Sequence, residues 1–391
     1  MKVLDTFAGA GGFSLGFEMA GCTITGAIEM DRWASDTFKH NHPKANVVCS
    51  DITKLSGESI LKRFGEDKPE IILGGPPCQG FSICNKNSRD SKDPRNSLFE
   101  EFLRIGKLLK PTIMIMENVP NLIKAKTSNK KKVINIICSE LEEMGFYVYY
   151  DILEATDYGI PQIRKRLFVV ASKKPLKTPF SKPTHTVDSK QLNLFTTNLK
   201  QCPNLWDAIS DLPDIEARQG SEEQPYTIEV KTEYQKLLRN SDTTLYNHKA
   251  MNHSKRVVER FASMSCGDSI SDVPEHLKPY KRNTTEIADK VYDQNNRRMH
   301  PDKPCHTIPA SFYANFVHPF KNRNFTAREG ARIQSFPDNF VFKGKPTVVS
   351  HKLLARERRL DEKYLCQYNQ IGNAVPPLLA KALANNILNQ I

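Results

Sequence analysis

Cys78 is the residue whose type and surroundings best suit covalent chemistry. It lies in the segment 74–82, Gly-Gly-Pro-Pro-Cys-Gln-Gly-Phe-Ser, which follows the short apolar run 71–73, predicted as a buried strand. The two prolines before Cys78 fix the backbone and remove two hydrogen-bond donors, so we expect the thiol on a stiff turn at a strand end. A free cysteine is more often a small buried residue than a reactive one. The rigid setting favours a nucleophile here, because open α/β sheets hold their ligands at the carboxyl ends of strands.

Glu117 is a second residue suited to chemistry, because it ends the apolar run 112–116, which predicts another buried strand. A carboxylate at the end of a buried strand is costly unless a partner stabilises it. Taken alone, such a residue is more often a cap or a member of an ion pair than a catalytic acid. At the strand edge next to Cys78, it is predicted to take part in the chemistry.

The N-terminal segment has the order of elements that begins a nucleotide-binding α/β unit. Residues 2–7 predict a strand, 8–13 form a glycine-rich turn, and 14–20 predict a helix. A glycine-rich turn alone is also typical of an ordinary tight connection between a strand and a helix. Whether this turn indicates a nucleotide-binding site therefore depends on the residues that end the following strands.

Acidic residues follow the next two predicted strands. Residues 23–28 predict a strand that ends in Glu29, which is well placed to accept hydrogen bonds from ribose hydroxyls. Residues 46–49 predict a third strand, and Asp51 follows it closely. Each strand thus brings a polar group to the same sheet edge, where a ligand is expected.

The order of these segments resembles the DNA (cytosine-5) methyltransferase family. Pro-Pro-Cys-Gln-Gly-Phe-Ser at 76–82 resembles its catalytic motif, and Glu-Asn-Val at 117–119 resembles the motif that follows. Gln-x-Arg-x-Arg at 162–166 and the segment 370–377 match later motifs of the family. Basic residues before a strand usually form a solvated rim, but the motif match favours a functional role for 162–166. The resemblance spans the chain in the family's usual order, with the middle, about 186–325, unmatched.

The resemblance implies a covalent mechanism with four catalytic residues: Cys78, Glu117, Arg164 and Arg166. The thiolate of Cys78 attacks C6 of cytosine, and Glu117, protonated in its buried position, donates a hydrogen bond to N3. Arg166 orients Glu117 and the base, whereas Arg164 binds the base edge or a phosphate. The target base must leave the duplex, with the polar run 84–96 closing over it. The base that removes the C5 proton is not identified by the sequence.

The same resemblance implies S-adenosylmethionine as the cofactor. The residues expected to bind it are Phe7, Gly9, Gly11, Gly12, Glu29, Met30, Asp51, Ile52, Pro76, Leu98, Asn373 and Val375. A sulfonium cofactor carries no phosphate, so the glycines would allow close approach of the backbone rather than bind an anion. The expected nucleic-acid contacts are Gln79, Ser82, Gln162 and Arg164, and no metal ligands are predicted.

Composition limits the cellular setting and the partners. The chain has 391 residues and a formal net charge of +12, which favours a polyanionic partner such as double-stranded DNA. Its nine cysteines are scattered singly, which argues against a disulfide framework and a structural zinc site. Because the sequence shows no signal-peptide pattern and no apolar run of membrane-spanning length, we expect a cytoplasmic bacterial protein that associates with the nucleoid through DNA. We also expect a monomer that functions together with a restriction endonuclease.

The predicted fold class is α/β, with a Rossmann-like S-adenosylmethionine-dependent methyltransferase domain and a smaller target-recognition domain. We expect the catalytic and cofactor-binding domain at 1–176, completed by a C-terminal helix within 369–391. Composition changes near 172–185, where Lys, Pro, Thr and Ser dominate, as in a linker. Residues 177–368 are then assigned to target recognition and a hinge, and 325–337 to a helix that supports this region.

Three other functions compete with this interpretation. The tRNA-methylating branch of the family would use the same nucleophile, but Gly80 and the long basic middle region favour the DNA branch. A catalytically silent DNA-binding member is disfavoured by the intact set of Cys78, Glu117 and Arg166. A dinucleotide on the glycine-rich turn would leave Cys78 and Glu117 without a purpose.

Overall fold

The structure is a computed structural model of the chain, and it describes residues 1–77, 98–127, 130–188, 199–281, 284–347, 351–360 and 364–391. The strands are β1 Lys2–Asp5, β2 Thr23–Glu29, β3 Asn46–Cys49, β4 Ile71–Gly74, β5 Ile113–Asn118, β6 Tyr147–Glu154, β7 Gln162–Ile163, β8 Lys165–Ser172, β9 His185–Thr186, β10 Lys200–Gln201, β11 Gly220–Pro225, β12 Thr244–Lys249, β13 Arg297–Arg298, β14 Cys305–His306 and β15 Phe316–Val317. The helices are α1 Gly12–Glu18, α2 Arg32–Asn41, α3 Gly57–Phe64, α4 Leu98–Leu109, α5 Val133–Glu143, α6 Leu205–Ile209, α7 Glu233–Arg239, α8 Lys255–Ala262, α9 Phe312–Asn315, α10 Ala327–Ile333, α11 His351–Arg356, α12 Gln367–Asn373 and α13 Pro377–Leu388.

The chain divides into two compact units. The first comprises 1–158, 164–184 and 375–391, and the second comprises 159–163 and 185–374. The composition change at 172–185 thus covers the segment in which the chain leaves the first unit. The assignment of 177–368 to target recognition stays a prediction.

A seven-stranded sheet forms the centre of the first unit, in the order β3-β2-β1-β4-β5-β8-β6. β1 to β5 are parallel, and β8 runs antiparallel to both β5 and β6. The apolar run of β4 is buried throughout, as expected for a strand covered on both faces. The strand order reverses between β1 and β4, and such a switch point leaves a crevice outside the carboxyl ends of the strands. The predicted Rossmann-like α/β fold is confirmed.

The C-terminal helix α13 packs on α1 within the first unit. The contact is close because α1 carries a glycine there: a Cβ atom at Gly16 would lie 2.3 Å from Cβ of Ala380. It would also lie 2.5 Å from the carbonyl oxygen of Pro377. The backbones of α1 and α13 therefore approach at a distance that only glycine permits. Because α1 follows the glycine-rich turn directly, this contact also fixes the helix that begins at the turn.

Two elements have other bounds than the sequence predicts, namely a basic helix over 130–144 and a strand over 167–171. The helix α5 begins only at Val133 and buries an apolar face that includes Ile137. β8 begins at Lys165, because its ladder with β6 continues to the pair Glu154–Lys165. Arg166 therefore lies within a strand of the large sheet and not in a loop before it.

The second unit has short strands and a core with buried ion pairs. α10 is buried along its whole length and begins with a capping box between Thr326 and Glu329. Glu329 also binds the buried guanidinium of Arg323 through two bonds of 2.8 Å, which holds the pKa of its carboxyl well below the usual range. Arg332 donates to both Asp211 and Asp338. The predicted helix within 325–337 is confirmed, and these contacts give it a structural role.

Candidate active site

The carboxyl ends of β4 and β5 lie side by side and bring the first candidate residues together. Gly74 pairs with Met116 in the parallel ladder, so Gly75 and Glu117 follow at the same edge. A Cβ atom at Gly75 would lie 3.5 Å from Oε2 of Glu117, so the turn that leads to Cys78 begins beside this carboxyl group. Cys78, Gln79, Ser82 and the polar run 84–96 lie outside the described residues.

Glu117 and Arg166 form an ion pair at this edge. Nε of Arg166 donates to Oε1 of Glu117 over 2.9 Å, and each side chain is only 14% exposed. The two meet because β8 is antiparallel to β5, with Phe168 opposite Glu117. Arg166 is then the diagonal neighbour of Glu117 on the same face of the sheet.

Burial and charge act on Glu117 in opposite directions. Loss of solvent raises the pKa of its carboxyl, whereas Arg166 and Arg164 lower it, and burial is the larger effect. Arg164 is buried as well, and arginine stays protonated in proteins. Glu117 is therefore a carboxyl group with a raised pKa beside two guanidinium groups, as is common for ionisable groups at functional sites.

Asn118 fixes the turn that precedes Cys78. Its Nδ2 donates to the carbonyl oxygen of Pro76 over 2.9 Å, and its Oδ1 accepts from the backbone N–H of Val119 at the same distance. Pro76 is buried, so the bond also satisfies a carbonyl group that water does not reach easily. No role is predicted for Asn118 from its residue type, although its position directly after Glu117 makes it part of the same motif.

The glycine-rich turn is held by Glu29 from the end of β2. Oε2 of Glu29 accepts from the N–H of Gly9 and Oε1 accepts from the N–H of Asp31, both over 2.7 Å. Burial raises the pKa of Glu29 to about 7, against the effect of these two bonds. Gly9 and Gly11 have φ of 53° and 98°, which favours glycine, and the space where a Cβ atom of Gly9 would lie is open. The turn therefore forms a cradle beside a buried carboxyl group.

Asp5 and Ser14 tie the first strand to the start of α1 beneath this turn. Oγ of Ser14 donates to Oδ2 of Asp5 over 2.8 Å, and both side chains are buried. Burial raises the pKa of Asp5 to about 6, despite the bond from Ser14. Neither residue is among the predicted site residues, although an acidic residue at the end of the first strand is a signal of the same kind as Glu29 at the end of the second.

The other expected cofactor residues of the first unit lie around the same strand ends. Met30 follows β2 and is 69% exposed, and Ile52 is buried at the start of a 3-10 helix. Asp51 caps this helix, because its Oδ1 accepts from both the N–H and the hydroxyl of Thr53. Phe7 and Leu98 pack against the apolar core of the unit. Glu29 and Asp51 thus have structural contacts of their own, and their contacts with a cofactor stay predictions.

Gln162, an expected nucleic-acid contact, has a side chain that is 0% exposed in the second unit. Oε1 accepts from the N–H of Ile308 and Nε2 donates to Oε1 of Gln334, both over 2.8 Å. Gln162 therefore connects β7 to two other segments of the second unit, and its contact with DNA stays a prediction.

The residues expected from the last motif lie on either side of the junction between the two units. Asn373 is the last residue of α12 and is exposed. Val375 is buried and belongs to the first unit, two residues before α13 begins. Glycine is required nearby, because a Cβ atom at Gly372 would lie 2.3 Å from the carbonyl oxygen of Pro309. Their roles toward a cofactor stay predictions.

The family model for C-5 cytosine-specific DNA methylases matches residues 1–389. The chain belongs to this family. It is 46% identical over 388 residues to the type II methyltransferase M.DdeI of Desulfomicrobium norvegicum, covering 99% of this chain and 88% of the relative. It is 34% identical over 389 residues to the type II methyltransferase M1.HphI of Haemophilus parahaemolyticus, covering 99% of this chain and 87% of the relative.

A solved structure gives the same result for the fold. The chain resembles a prophage-encoded protein from E. coli, described as a candidate DNA modification methyltransferase, with a TM-score of 0.72 and 27% identity over 100% of this chain and 99% of that chain. The predicted enzyme class, a DNA (cytosine-5-)-methyltransferase, is confirmed. Among the described residues, no group of three or more His, Cys, Asp or Glu could hold a metal ion, and no helix is long and apolar enough to span a membrane.

Proposed function

We propose that the protein transfers a methyl group from S-adenosylmethionine to C5 of a cytosine within a specific sequence of double-stranded DNA. The transfer proceeds through a bond between Cys78 and C6 of a base that has left the duplex. The observation that carries this proposal is the buried pair of Glu117 and Arg166 beside Gly75, where the turn toward Cys78 begins. A nucleophile and a carboxyl group with a raised pKa at one edge suit addition to an electron-poor ring.

The protein's own residues have separate tasks in this reaction. Addition of the Cys78 thiolate to C6 moves negative charge toward N3 of the base, where Glu117 donates its proton or a hydrogen bond. Arg166 keeps the carboxyl group in place through its 2.9 Å contact, and Arg164 adds positive charge at the same edge. Asn118 holds the carbonyl group of Pro76 and so limits the freedom of the turn before Cys78. Loss of the C5 proton then allows Cys78 to leave.

The glycine-rich turn suits S-adenosylmethionine as the methyl donor. This cofactor supplies an electrophilic methyl group on a positively charged sulfur. The open space above Gly9, the carboxyl group of Glu29 and the exposed Met30 offer a cradle, a hydroxyl acceptor and an apolar contact. Because nothing in this set gathers the positive charge that phosphates need, it suits a nucleoside better than a dinucleotide.

Replacement of Glu29 should separate its cofactor role from its structural one. We expect Glu29→Gln to weaken S-adenosylmethionine binding by roughly 1.5–3 kcal/mol, the range for hydrogen bonds to a charged group. The free carboxyl group has a raised pKa of about 7, so it is largely neutral below this pH and ionised above it. A cationic ligand with hydroxyl donors prefers the ionised form. Affinity of the wild type should therefore increase from about pH 6 to about pH 8, and this dependence should vanish in the variant.

Isothermal titration calorimetry at both pH values provides the measurement. Glu143→Gln is the matched control, because Glu143 is exposed at the end of α5. Equal affinities of Glu29→Gln and wild type at both pH values would rule out the cofactor role of Glu29.

DNA is the proposed partner, and we assign 177–368 to target recognition. The net charge of +12 would supply sequence-independent affinity for phosphates. The names of the relatives M.DdeI and M1.HphI, both type II methyltransferases, support a restriction–modification role with a cognate endonuclease.

Bisulfite sequencing tests the proposed function directly. DNA and tRNA from cells that express the protein should be sequenced beside material from cells that express Cys78→Ala. We expect 5-methylcytosine at one short DNA sequence with the wild type only. Methylation of tRNA instead of DNA, or the same pattern with both proteins, would refute the proposal.

A further inference from the structure

Two neighbouring arginines of the second unit lie on opposite faces of the short strand β13. Arg298 is buried, and its guanidinium donates to four carbonyl oxygens and one side-chain amide, those of Phe261, His318, Pro319, Lys321 and Asn322. Its backbone N–H donates to the carbonyl oxygen of Asp268 over 2.9 Å. Successive side chains of a strand point to opposite faces, so Arg297 lies on the face of β13 opposite to Arg298.

The guanidinium of Arg297 is held only loosely by comparison. One terminal nitrogen lies 3.5 Å from Nε2 of His306, and the other lies 3.3 Å from the carbonyl oxygen of Asp293. Both distances are long for hydrogen bonds. Burial, Arg297 and His300 all lower the pKa of His306, so its imidazole is neutral and can accept from Arg297. The neutral imidazole thus lies beside the guanidinium without neutralising its charge.

The backbone around Arg297 is fixed before any ligand arrives. Asn296 has φ of 49°, and its N–H donates to the carbonyl oxygen of Ala314 over 3.1 Å. Nδ2 of Asn315 donates to Oδ1 of Asn295 over 3.0 Å, which ties the loop to α9 a second time. A preorganised loop loses little entropy on binding, so it can read a partner accurately.

Asn295, Arg297, His306 and Asn315 together form what we call the Arg297 face. It contains one cation among two amides and a neutral imidazole, with Asp293 close in sequence. Phosphate sites usually gather several cations or backbone N–H groups and avoid carboxylates. Guanidinium and amide groups held in fixed positions are the groups that read base edges.

We propose that Arg297 reads a guanine of the target site, donating from its two terminal nitrogens to O6 and N7 in the major groove. This inference rests on the proposed function, methylation of a specific DNA sequence. Arginine bound in this way discriminates a guanine from the other bases at one position. His306 and Asn315 are positioning residues that hold Arg297 and Asn295.

The test compares methyl transfer by wild type, Arg297→Gln and Arg297→Lys on duplexes in which each position of the target site is varied. We expect Arg297→Gln to lose about 5- to 150-fold of the preference for guanine at a single position and to keep its preferences elsewhere. Arg218→Gln is the matched control, since Arg218 is an exposed arginine of the same unit whose guanidinium donates to the backbone carbonyl oxygen of His253.

A second arm replaces that guanine by 7-deazaguanine, which lacks the N7 acceptor. The kcat/KM of the wild type should fall on this substrate, whereas Arg297→Gln should not distinguish it from guanine. A uniform loss on all sequences with a shallower salt dependence would indicate a phosphate contact and overturn the proposal. Unchanged preferences, or complete inactivity of both folded Arg297 variants, would overturn it equally.

Failure of the proposed function is distinguishable from failure of this inference. If the wild type methylates no DNA duplex, the proposed function is refuted. If the wild type methylates a defined site and Arg297→Gln keeps every preference, only the role of Arg297 is refuted. Thermal unfolding of each variant separates loss of recognition from loss of the fold.

Discussion

Cys78→Ala should abolish both methyl transfer and the covalent complex with DNA. In the proposed reaction, the thiolate adds to C6, the methyl group is added to C5, and removal of the C5 proton releases the enzyme. DNA with 5-fluorocytosine at the target has fluorine in place of that proton, so release is blocked and the adduct should accumulate. Without the Cys78 sulfur no bond to C6 forms, and the remaining contacts cannot replace this step.

Denaturing electrophoresis of the mixture with S-adenosylmethionine and fluorinated duplex measures the adduct. Cys49→Ala is the matched control, because Cys49 is an exposed free thiol at the end of β3. The control should form the adduct as fast as the wild type. A denaturant-stable adduct with Cys78→Ala would disprove the covalent role of this residue.

The residues at the carboxyl edge of the sheet were predictable because the signals for buried strands are local in sequence. Apolar runs such as 71–73 mark buried strands, and residues that follow parallel strands must meet at one edge. Glu117 was therefore expected at the end of a buried strand, and the structure has it there as part of β5. Its contact with Arg166 depends on an antiparallel strand, a long-range feature that periodicity alone does not reveal.

Buried charge in the second unit could not be predicted from composition. Arg323, Arg328 and Arg332 counted toward the basic excess that favoured a polyanionic partner. The structure buries all three, and Arg332 meets Asp211, which lies 121 residues away in sequence. A buried guanidinium needs such a partner because desolvation of an unpaired charge is costly. Asp211, Glu329 and Asp338 are buried with them, so the net charge is unaffected, but these three arginines cannot contact DNA directly.

Polar residues in the motifs make contacts within the protein that the motifs do not reveal. Gln162 uses its amide within the protein, and Glu29 binds two backbone N–H groups. A motif records which residue types occur together, but it does not separate contacts with the ligand from contacts that shape the site. The hydrogen-bond partners of each side chain make that distinction.

Glu117→Gln should slow the chemical step by about 10²–10⁴-fold, the usual contribution of general acid–base assistance. The amide keeps the shape of the side chain and an oxygen for Arg166, but it cannot deliver a proton to N3. Burial raises the pKa of Glu117 against the effect of Arg166 and Arg164. Exclusion of water by the extruded base should favour the neutral acid further, because the charged form then loses solvation. Binding of DNA and cofactor should survive the substitution, since neither depends on that proton.

Single-turnover methylation, measured beside DNA affinity and thermal unfolding, checks this expectation. Glu154→Gln is the matched control: Glu154 also ends a strand of the large sheet, and its Oε2 lies 3.2 Å from Nζ of Lys165 on β8. Losing that exposed ion pair should cost at most about 1 kcal/mol and leave the rate unchanged. Suppose that Glu117→Gln is as stable as the control and that its rate is within about threefold of the wild-type rate. Such a loss of rate is far below the range for acid–base assistance, and Glu117 would then only shape the strand end. A large loss of rate with unchanged DNA affinity would instead assign the proton at N3 to Glu117. The control supports this assignment because Glu154→Gln leaves the contact between Glu117 and Arg166 intact.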